Sequence, residues 1–467
     1  MNVSLKPAPG AEPLARTLAA YCSSIEAATA DDVLDQVRLY VLDTLAVILG
    51  GSTALSSQAM RRALVVDGCA RQGTVAGAGR VASWQDAALI NGTYGHALEL
   101  DDDHRVAVLH PGAVVVPAAL AACEAAGASG RRFLAAVLAG YEVMCRLGLA
   151  LRGKPFDHGM HPTALFGVFG AAAAAGVGMG LSAEALTRCL GIAGTQAFGL
   201  TEWRADGSWI KRLHPGRAAQ SGLLAASLAR QGFTGPATIL DGPGGFFRVF
   251  SFGEQANTGD IAAGLGSRFH ALDTAIKPYP CCRFMHGALD LAIQACHDGI
   301  QAAEISEVAV HIYETGVLTY HQVPLNDVDA QFNVPYGVAC ALLQGAVGLD
   351  DYTPEAVSRP DVLDLCSRID VTPTEAYTAA YPDVYHVELT LTLKTGATRQ
   401  YHSTCPSGDP QAELYAGQPG RLQQEAEHKA MQLLQQCGFG DRGEELRMAV
   451  ANLPRAGNLD ELVIALR

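Results

Sequence analysis

The sequence contains two His-Pro-Gly triplets, and each closes a segment crowded with ionisable side chains. The first segment, residues 91–112, ends in the triplet that begins at His110 and holds Glu99, Asp101, Asp102, Asp103 and His104. Proline is typical of the first position of a helix, and the free N–H groups there favour carboxylates. The imidazole of His110 is therefore expected beside a preferred position for a carboxylate ligand.

The three consecutive acids, residues 101–103, could instead bind a divalent metal ion. Consecutive positions do not share a helix face, however, and no second acidic cluster occurs at a matching distance. The same lack of a second motif argues against a terpene-cyclase-like metal site. Acid-rich helix ends are the structural alternative. We predict no metal ion, and the acid run by itself leaves a catalytic and a structural role equally open.

Three further segments hold polar side chains that a plain helical core would exclude. Residues 156–167 carry His158 and His161 before a proline and a charge-free run. Residues 201–219 carry two tryptophans and end near the second His-Pro-Gly, with the cations Lys211 and Arg212. Residues 276–290 contain Lys277, Arg283 and His286 around the vicinal pair Cys281 and Cys282. No Cys/His/Asn pattern accompanies that pair, so a cysteine nucleophile is disfavoured.

Composition narrows the function classes. The 467 residues are 49% hydrophobic and 17% charged, which predicts a large buried core rather than disorder. A net charge of −14 without a basic run argues against nucleic-acid and membrane partners. The twelve cysteines form no CxxC pair, and residues 1–13 lack the apolar stretch of a signal peptide, so we expect reduced thiols and a cytoplasmic location.

Periodicity predicts helices in the first part of the chain and a small sheet later. Apolar residues recur at helical spacing in residues 31–52, 130–151 and 217–232. The charge-free run 163–182 is rich in Ala and Gly, and we interpret it as a buried helix. Alternation at 307–313 and 387–393, with a turn at 394–396, predicts strands, and helical stretches lie at 286–296 and 334–345.

The order of these segments closely resembles the MmgE/PrpD family, whose members eliminate water from, decarboxylate or epimerise small polycarboxylic acids. The likeness spans nearly the whole chain, through LDTLAVILGG, NGTYGHALELDDDH…HPG, HPTALFGVFGAAAAAG, DGSWIKRLHPGRAA, KPYPCCRFMH and QFNVPYGVACALL. It implies a mainly α fold, in which a large all-helical domain (residues 1–267 and 409–467) is built from both chain ends and carries a smaller α+β lid (268–408). It also implies a homodimer without metal or prosthetic group.

By that resemblance, the active-site cleft is lined by Glu99, Asp103, His110, His161, Lys211 and, from the 277–286 segment, His286. Three positions depart from the family pattern. The family commonly has Asp at the position of Glu99, Thr at that of Asp103 and often His at that of Arg283. These changes add an acid and a guanidinium, which leaves the exact substrate open.

The family's reactions all develop negative charge next to a carboxylate. Lys211, with Arg283 or Arg212, is suited to bind substrate carboxylates, and His104 and His286 complete the predicted binding set. We assign proton transfer to His161 first and His110 second, oriented by Glu99 or Asp103.

The sequence therefore predicts a lyase that dehydrates or decarboxylates a citrate- or aconitate-like acid. An epimerase of an iminodisuccinate-like dicarboxylate is the alternative. A non-catalytic helical binding protein is a remote third alternative, because loss of several of these histidines and lysines would be expected in such a protein.

Overall fold

The computed structural model describes residues 12–66, 70–317, 321–418 and 420–467. The inference from the N-terminal segment rests mostly on residues 1–11, which lie outside this description, as does Cys69. The α-helices of the described chain are α1 Leu14–Ala28, α2 Asp31–Gly51, α3 Leu55–Leu64, α4 Trp84–Gly95, α5 Gly112–Ala126, α6 Gly130–Leu151, α7 Lys154–Asp157, α8 Pro162–Gly178, α9 Ala183–Gly194, α10 Ile210–Arg230, α11 Phe246–Phe250, α12 His286–His297, α13 Asp327–Ala330, α14 Val334–Gln344, α15 Pro360–Cys366, α16 Glu375–Ala380, α17 Arg421–Gln436, α18 Gly440–Asn452 and α19 Asp460–Ala465.

Six described strands form two sheets. They are β1 Gly73–Val75, β2 Gly79–Ala82, β3 Ile305–Ile312, β4 Ile369–Pro373, β5 Val387–Leu393 and β6 Thr398–Ser403. The first two strands pair as an antiparallel hairpin, and the others form a mixed sheet in the order β4-β3-β5-β6. Strand β3 is parallel to β4 and antiparallel to β5, which is antiparallel to β6. The prediction of a mainly helical chain with a small sheet is confirmed.

The helices and strands predicted from periodicity are present in the structure. The helices expected at 31–52 and 130–151 are α2 and α6. On β3 and β5 the alternating apolar residues point into the core, as alternation requires. Residues 163–178 of the charge-free run lie in α8, all of whose residues are buried, whereas residues 179–182 follow the helix and are at least partly exposed. The expectation of a buried helix there is confirmed.

Three strands were not predicted from the sequence patterns. The hairpin β1–β2 lies inside the stretch expected to be helical throughout, so that expectation was wrong at residues 73–82. Its strands have three and four residues, too few to show alternation. Side chains of neighbouring helices hold it: Asn91 Nδ2 donates to the Thr74 carbonyl at 2.8 Å, and the Thr74 N–H donates to Glu124 at 3.1 Å. The five-residue edge strand β4 was missed for the same reason of length.

Apolar side chains gather in two main clusters. The larger cluster draws on helices from both ends of the chain, including α1, α2, α17 and α18. The second is built mainly from residues 281–391, around the mixed sheet and helices α12 and α14. These clusters support the division into a helical domain and a lid, whose boundaries remain a prediction.

Helix α6 is the described helix that is long and apolar enough by itself to cross a membrane. Within its apolar window, however, 94% of the residues are buried in the protein. Helices α2 and α3 pass the same test only as a single span, and they are bent by 83° at their junction. Burial of this kind is typical of a core helix.

Helices α8 and α10 approach closely because small residues face each other. A Cβ atom at Gly222 would lie 2.4 Å from the Cβ of Ala171 and 2.5 Å from the α8 backbone. Gly167 similarly faces Ala218. This contact matters for function, because α8 follows His161 directly and α10 begins with Ile210 and Lys211.

We expect Gly222→Val to lower the free energy of unfolding by about 1–3 kcal/mol, because the added side chain forces α8 and α10 apart. Arg217→Val is the matched control, since it introduces the same residue at an exposed position of α10. Chemical denaturation of both variants measures the difference. Equal stability of the two would show that the helices do not pack as closely as described.

Candidate active site

A small cavity of about 40 Å³ lies among the predicted site segments. Its walls comprise the polar residues Glu99, Asp103, His110, His161, Lys211, Cys282 and Arg283, and the apolar residues Val108, Phe156, Pro162, Trp203, Phe284 and Phe332. Six of the residues singled out from the sequence therefore share one space. They come from four separate stretches of the chain, so only folding brings them together.

Glu99 is the central acid of this site. It follows α4 in the left-handed region, with φ of 54°, a strained conformation for a residue with a side chain. Its carboxylate accepts a hydrogen bond from Nζ of Lys211. Nζ of Lys277 donates to the Glu99 carbonyl at 3.1 Å and lies 3.8 Å from the carboxylate. The partners of Glu99 are thus lysines, whereas the sequence had suggested that it orients a histidine.

The opposite charges of this cluster offset burial for Glu99 and Lys277, whereas burial lowers the pKa of Lys211 despite its contact with Glu99. Burial by itself disfavours the ionised form of Glu99, but Lys211 and then His96 and Lys277 outweigh it and hold its pKa below the ordinary value. Burial also opposes the charge of Lys277, but Asp101 and Glu99 raise its pKa above the ordinary value. Nζ of Lys211 also lies 5.5 Å and 5.1 Å from the ring centres of Trp203 and Phe332.

His110 is oriented by the backbone of the acid run. Its Nδ1 lies 2.8 Å from the carbonyl oxygen of Asp102 and 3.6 Å from the Asp103 carboxylate. Asp102 itself is structural: it accepts from the Gly112 N–H at the start of α5 and from the Tyr141 hydroxyl. Burial raises the pKa of Asp102 to about 8. The acid-rich helix end and the candidate site segment are therefore the same piece of chain.

His161 lies at the N-cap of α8, directly before Pro162. Its backbone N–H donates to the carbonyl of Gly199 at 3.1 Å, which fixes the entry into the helix. Its Nδ1 lies 2.9 Å from Nδ1 of His214, the histidine of the second His-Pro-Gly. Lys211 and His214 are three positions apart on α10 and so share one helix face. The two triplet segments thus meet at this site.

His96 packs behind the histidines of the cavity without lining it, and the sequence analysis did not identify it. It is completely buried, and its Nδ1 lies 2.6 Å from a carboxylate oxygen of Asp101. Its ring lies 5.1 Å from that of His110 and 5.7 Å from that of His161. The signal was weak, because His96 falls at the end of α4 without a proline or a second histidine beside it.

From the segment 277–286 the structure brings Arg283, rather than His286, to the cavity. Both nitrogens of His286 are engaged, with Nδ1 3.1 Å from Arg283 and Nε2 3.2 Å from the carbonyl of Cys281. Arg283 also donates to the carbonyls of Ser407 and Pro406. Burial raises the pKa of Asp103 to about 6, a shift that Arg283 partly offsets.

Two other predicted binding residues are not in the cavity lining. Arg212 is buried and donates to Ser56 at 3.2 Å and to Gln331 at 3.4 Å. Nδ1 of His104 accepts from the N–H of Ala107 at 3.3 Å. Both side chains contact other protein groups, and their assignment as substrate-binding residues gains no support from this geometry.

Nucleophilic and metal chemistry find little basis among the described residues. Burial raises the pKa of the Cys282 thiol to about 11, so this cavity cysteine is protonated at neutral pH. Within residues 12–66, 70–317, 321–418 and 420–467, no group of three or more His, Cys, Asp or Glu side chains is arranged to hold a metal ion. Acid–base and electrostatic chemistry fit the cavity best.

Comparison with known proteins adds to this geometry. Residues 16–258 match the MmgE/PrpD N-terminal domain and residues 279–453 the MmgE/PrpD C-terminal domain. The cis-aconitate decarboxylase of Aspergillus terreus is 29% identical over 370 residues, 74% of this chain and 75% of the relative. The cis-aconitate decarboxylase-like protein oryM of Aspergillus oryzae is 30% identical over 364 residues, 72% and 74% of the two chains.

The cis-aconitate decarboxylase of Homo sapiens is 29% identical over 325 residues, 67% of this chain and 66% of the relative. The two domain matches lie in order and together cover most of the chain, including every segment that contributes to the cavity. The chain belongs to the MmgE/PrpD family.

Proposed function

We propose that this protein is a lyase that decarboxylates a small tricarboxylate related to cis-aconitate. The observation that carries the proposal is one cavity lined by two imidazoles, His110 and His161, together with the cations Lys211 and Arg283. The names of the relatives favour decarboxylation over the dehydration that the sequence left open.

The reaction requires groups that stabilise the developing negative charge and a donor for one proton. When the C–C bond to a carboxylate breaks, carbon dioxide leaves and the electron pair stays on a carbon next to the remaining carboxylates. Lys211 and Arg283 are suited to bind those carboxylates and to stabilise the developing charge. His161 then delivers a proton to the carbon. Glu99 keeps Lys211 in position through their ion pair.

The histidines suit this role because they are neutral. Burial, then His214 and Lys211, lowers the pKa of His161 well below its ordinary value. Burial and Lys277 lower the pKa of His110 in the same direction. A neutral imidazole does not compete with Lys211 or Arg283 for the substrate carboxylates.

One observation favours epimerisation of an iminodisuccinate-like dicarboxylate as a second candidate. Such a reaction needs two proton carriers, and His110 and His161 both line the cavity. Deuterium uptake from D₂O into unreacted substrate, without loss of carbon dioxide, would identify an epimerase. We further propose a cytoplasmic homodimer, which rests on family membership and on the free cysteines of the described residues.

We expect His161→Asn to lower kcat by about 10²–10⁴-fold with little change in KM, because asparagine keeps a hydrogen-bonding group but cannot carry the proton. His158→Asn, an exposed histidine of the same segment, is the matched control. Steady-state kinetics on cis-aconitate, beside a thermal melt, measure the effect. A variant that is less stable but equally fast per folded molecule would remove His161 from the reaction.

We expect Lys211→Met to raise the activation free energy of kcat/KM by about 3 kcal/mol or more, since the lysine contacts charge that grows in the transition state. The variant also leaves Glu99 without its closest cation, so Glu99→Gln/Lys211→Met should restore stability without restoring activity. Arg217→Ala, an exposed cation on α10, should leave the rate unchanged. Full activity of the double variant would exclude Lys211 as a carboxylate clamp.

We expect turnover to survive prolonged incubation with EDTA, because the cavity offers cations and imidazoles to the substrate rather than a cluster of metal ligands. Carbon dioxide release before and after chelation measures this. Loss of turnover that one added divalent ion restores would contradict a metal-independent reaction.

A further inference from the structure

The two histidines of the cavity differ in what their second ring nitrogen contacts. Nδ1 of His110 lies 2.8 Å from the carbonyl oxygen of Asp102. A carbonyl can only accept a hydrogen bond, so Nδ1 of His110 must carry its proton. A neutral imidazole has a single N–H, which leaves Nε2 of His110 bare. In this state His110 can accept a proton but has none to give.

His161 is not restricted in this way, because its partner is another imidazole. Nδ1 of His161 and Nδ1 of His214 are 2.9 Å apart, and both residues are buried. One of the two nitrogens must donate and the other must accept. If His214 donates, His161 carries its proton on Nε2 and is a proton donor. If His161 donates, its Nε2 is bare like that of His110.

We infer that His214 donates to His161 and is a positioning residue that makes His161 the proton donor of the site. This inference rests on the proposed decarboxylation, in which the carbon left by carbon dioxide must receive a proton. His110 cannot supply that proton in the state its backbone partner imposes. The hydrogen bond from His214 puts the available N–H of His161 on Nε2.

The groups around His161 favour a neutral donor over an imidazolium. Lys211 and His214 face it from α10, His96 from the end of α4 and His110 from the start of α5. The nearby acid Glu99 is already paired with Lys211. A second proton on His161 would therefore meet the positive charge of Lys211.

The proton transfers at the pair His161 and His214 balance. The Nε2–H bond of His161 breaks as the C–H bond of the product forms. Nδ1 of His161 takes the proton from Nδ1 of His214, and His214 gains a proton at Nε2 from a hydronium ion of the solvent. Decarboxylation of a carboxylate consumes one proton, and this sequence supplies it without forming an imidazolate. Exchange of tautomers with solvent then resets the pair.

The tautomer itself can be measured without any assay of activity. In protein labelled with ¹⁵N-histidine, long-range ¹H–¹⁵N spectra distinguish Nδ1–H from Nε2–H imidazoles, and His161→Asn assigns the signal. We expect the Nε2–H form for His161 and the Nδ1–H form for His110. A bare Nε2 on His161 in the resting enzyme would overturn the inference, whether or not the protein decarboxylates cis-aconitate.

Two variants of nearly equal shape separate a positioning role from a packing role. His214→Asn retains an N–H near the position of Nδ1, so kcat should stay within about tenfold of the parent. His214→Leu offers neither donor nor acceptor and should lose about 10–100-fold in kcat with little change in KM. Equal kcat for the two, at equal melting temperature, would also overturn the inference.

His214→Asp adds a pH signature that packing alone cannot produce. Aspartate only accepts, so it holds a proton on Nδ1 of His161 and raises the pKa of that imidazole. Below the raised pKa His161 is doubly protonated and still donates, and above it Nε2 is bare. The kcat of His214→Asp should therefore fall as pH rises, a limb that His214→Asn lacks. Identical pH profiles of these variants would count against the assigned role. Absence of turnover in the parent protein, with the expected tautomer present, would instead contradict the proposed function.

Discussion

The buried charge of Glu99 constrains the whole site. An unpaired carboxylate in a protein interior is strongly destabilising, and a buried ion pair is tolerated when both partners are close and hydrogen-bonded. Glu99 meets this requirement with Lys211 from α10 and Lys277 from a segment far along the chain. These three segments must therefore come together for the fold to be stable. The same requirement places Lys211 in the cavity lining, with Lys277 buried behind Glu99.

The site also depends on the close packing of helices α8 and α10. Because Gly222 lets α10 approach α8, His214 reaches His161, and Lys211 reaches Glu99 from the same helix face. Pro111 of the first triplet and Pro162 of α8 lie at helix starts, whereas Pro215 of the second triplet lies inside α10. These elements position each imidazole so that its Nδ1 has a fixed partner. Such partners select which nitrogen carries the proton.

The elements with long, regular patterns could be predicted, and the short ones could not. Helices α2 and α6 extend over more than twenty residues each, so the 3.6-residue period is clear. Strand β5 alternates over seven residues. The three residues of β1 show no period, and their pairing depends on Asn91 and Glu124, which the local sequence does not associate with a strand. Tertiary contacts stabilise these short strands, so the local sequence pattern does not reveal them.

The sequence by itself determined the family, the mainly helical class and the chemical types in the site: acids, imidazoles and cations beside helix starts. Six of the predicted site residues line one cavity. A charged side chain that is buried in a core needs a partner nearby, which brings such residues together. Only the tertiary structure decided which residue contacts which. It turned His286 and Arg212 toward protein partners, placed His96 against Asp101 and joined His161 to His214, 53 positions away. Local periodicity carries no information about such distances, since a hydrogen bond depends on where two helices meet.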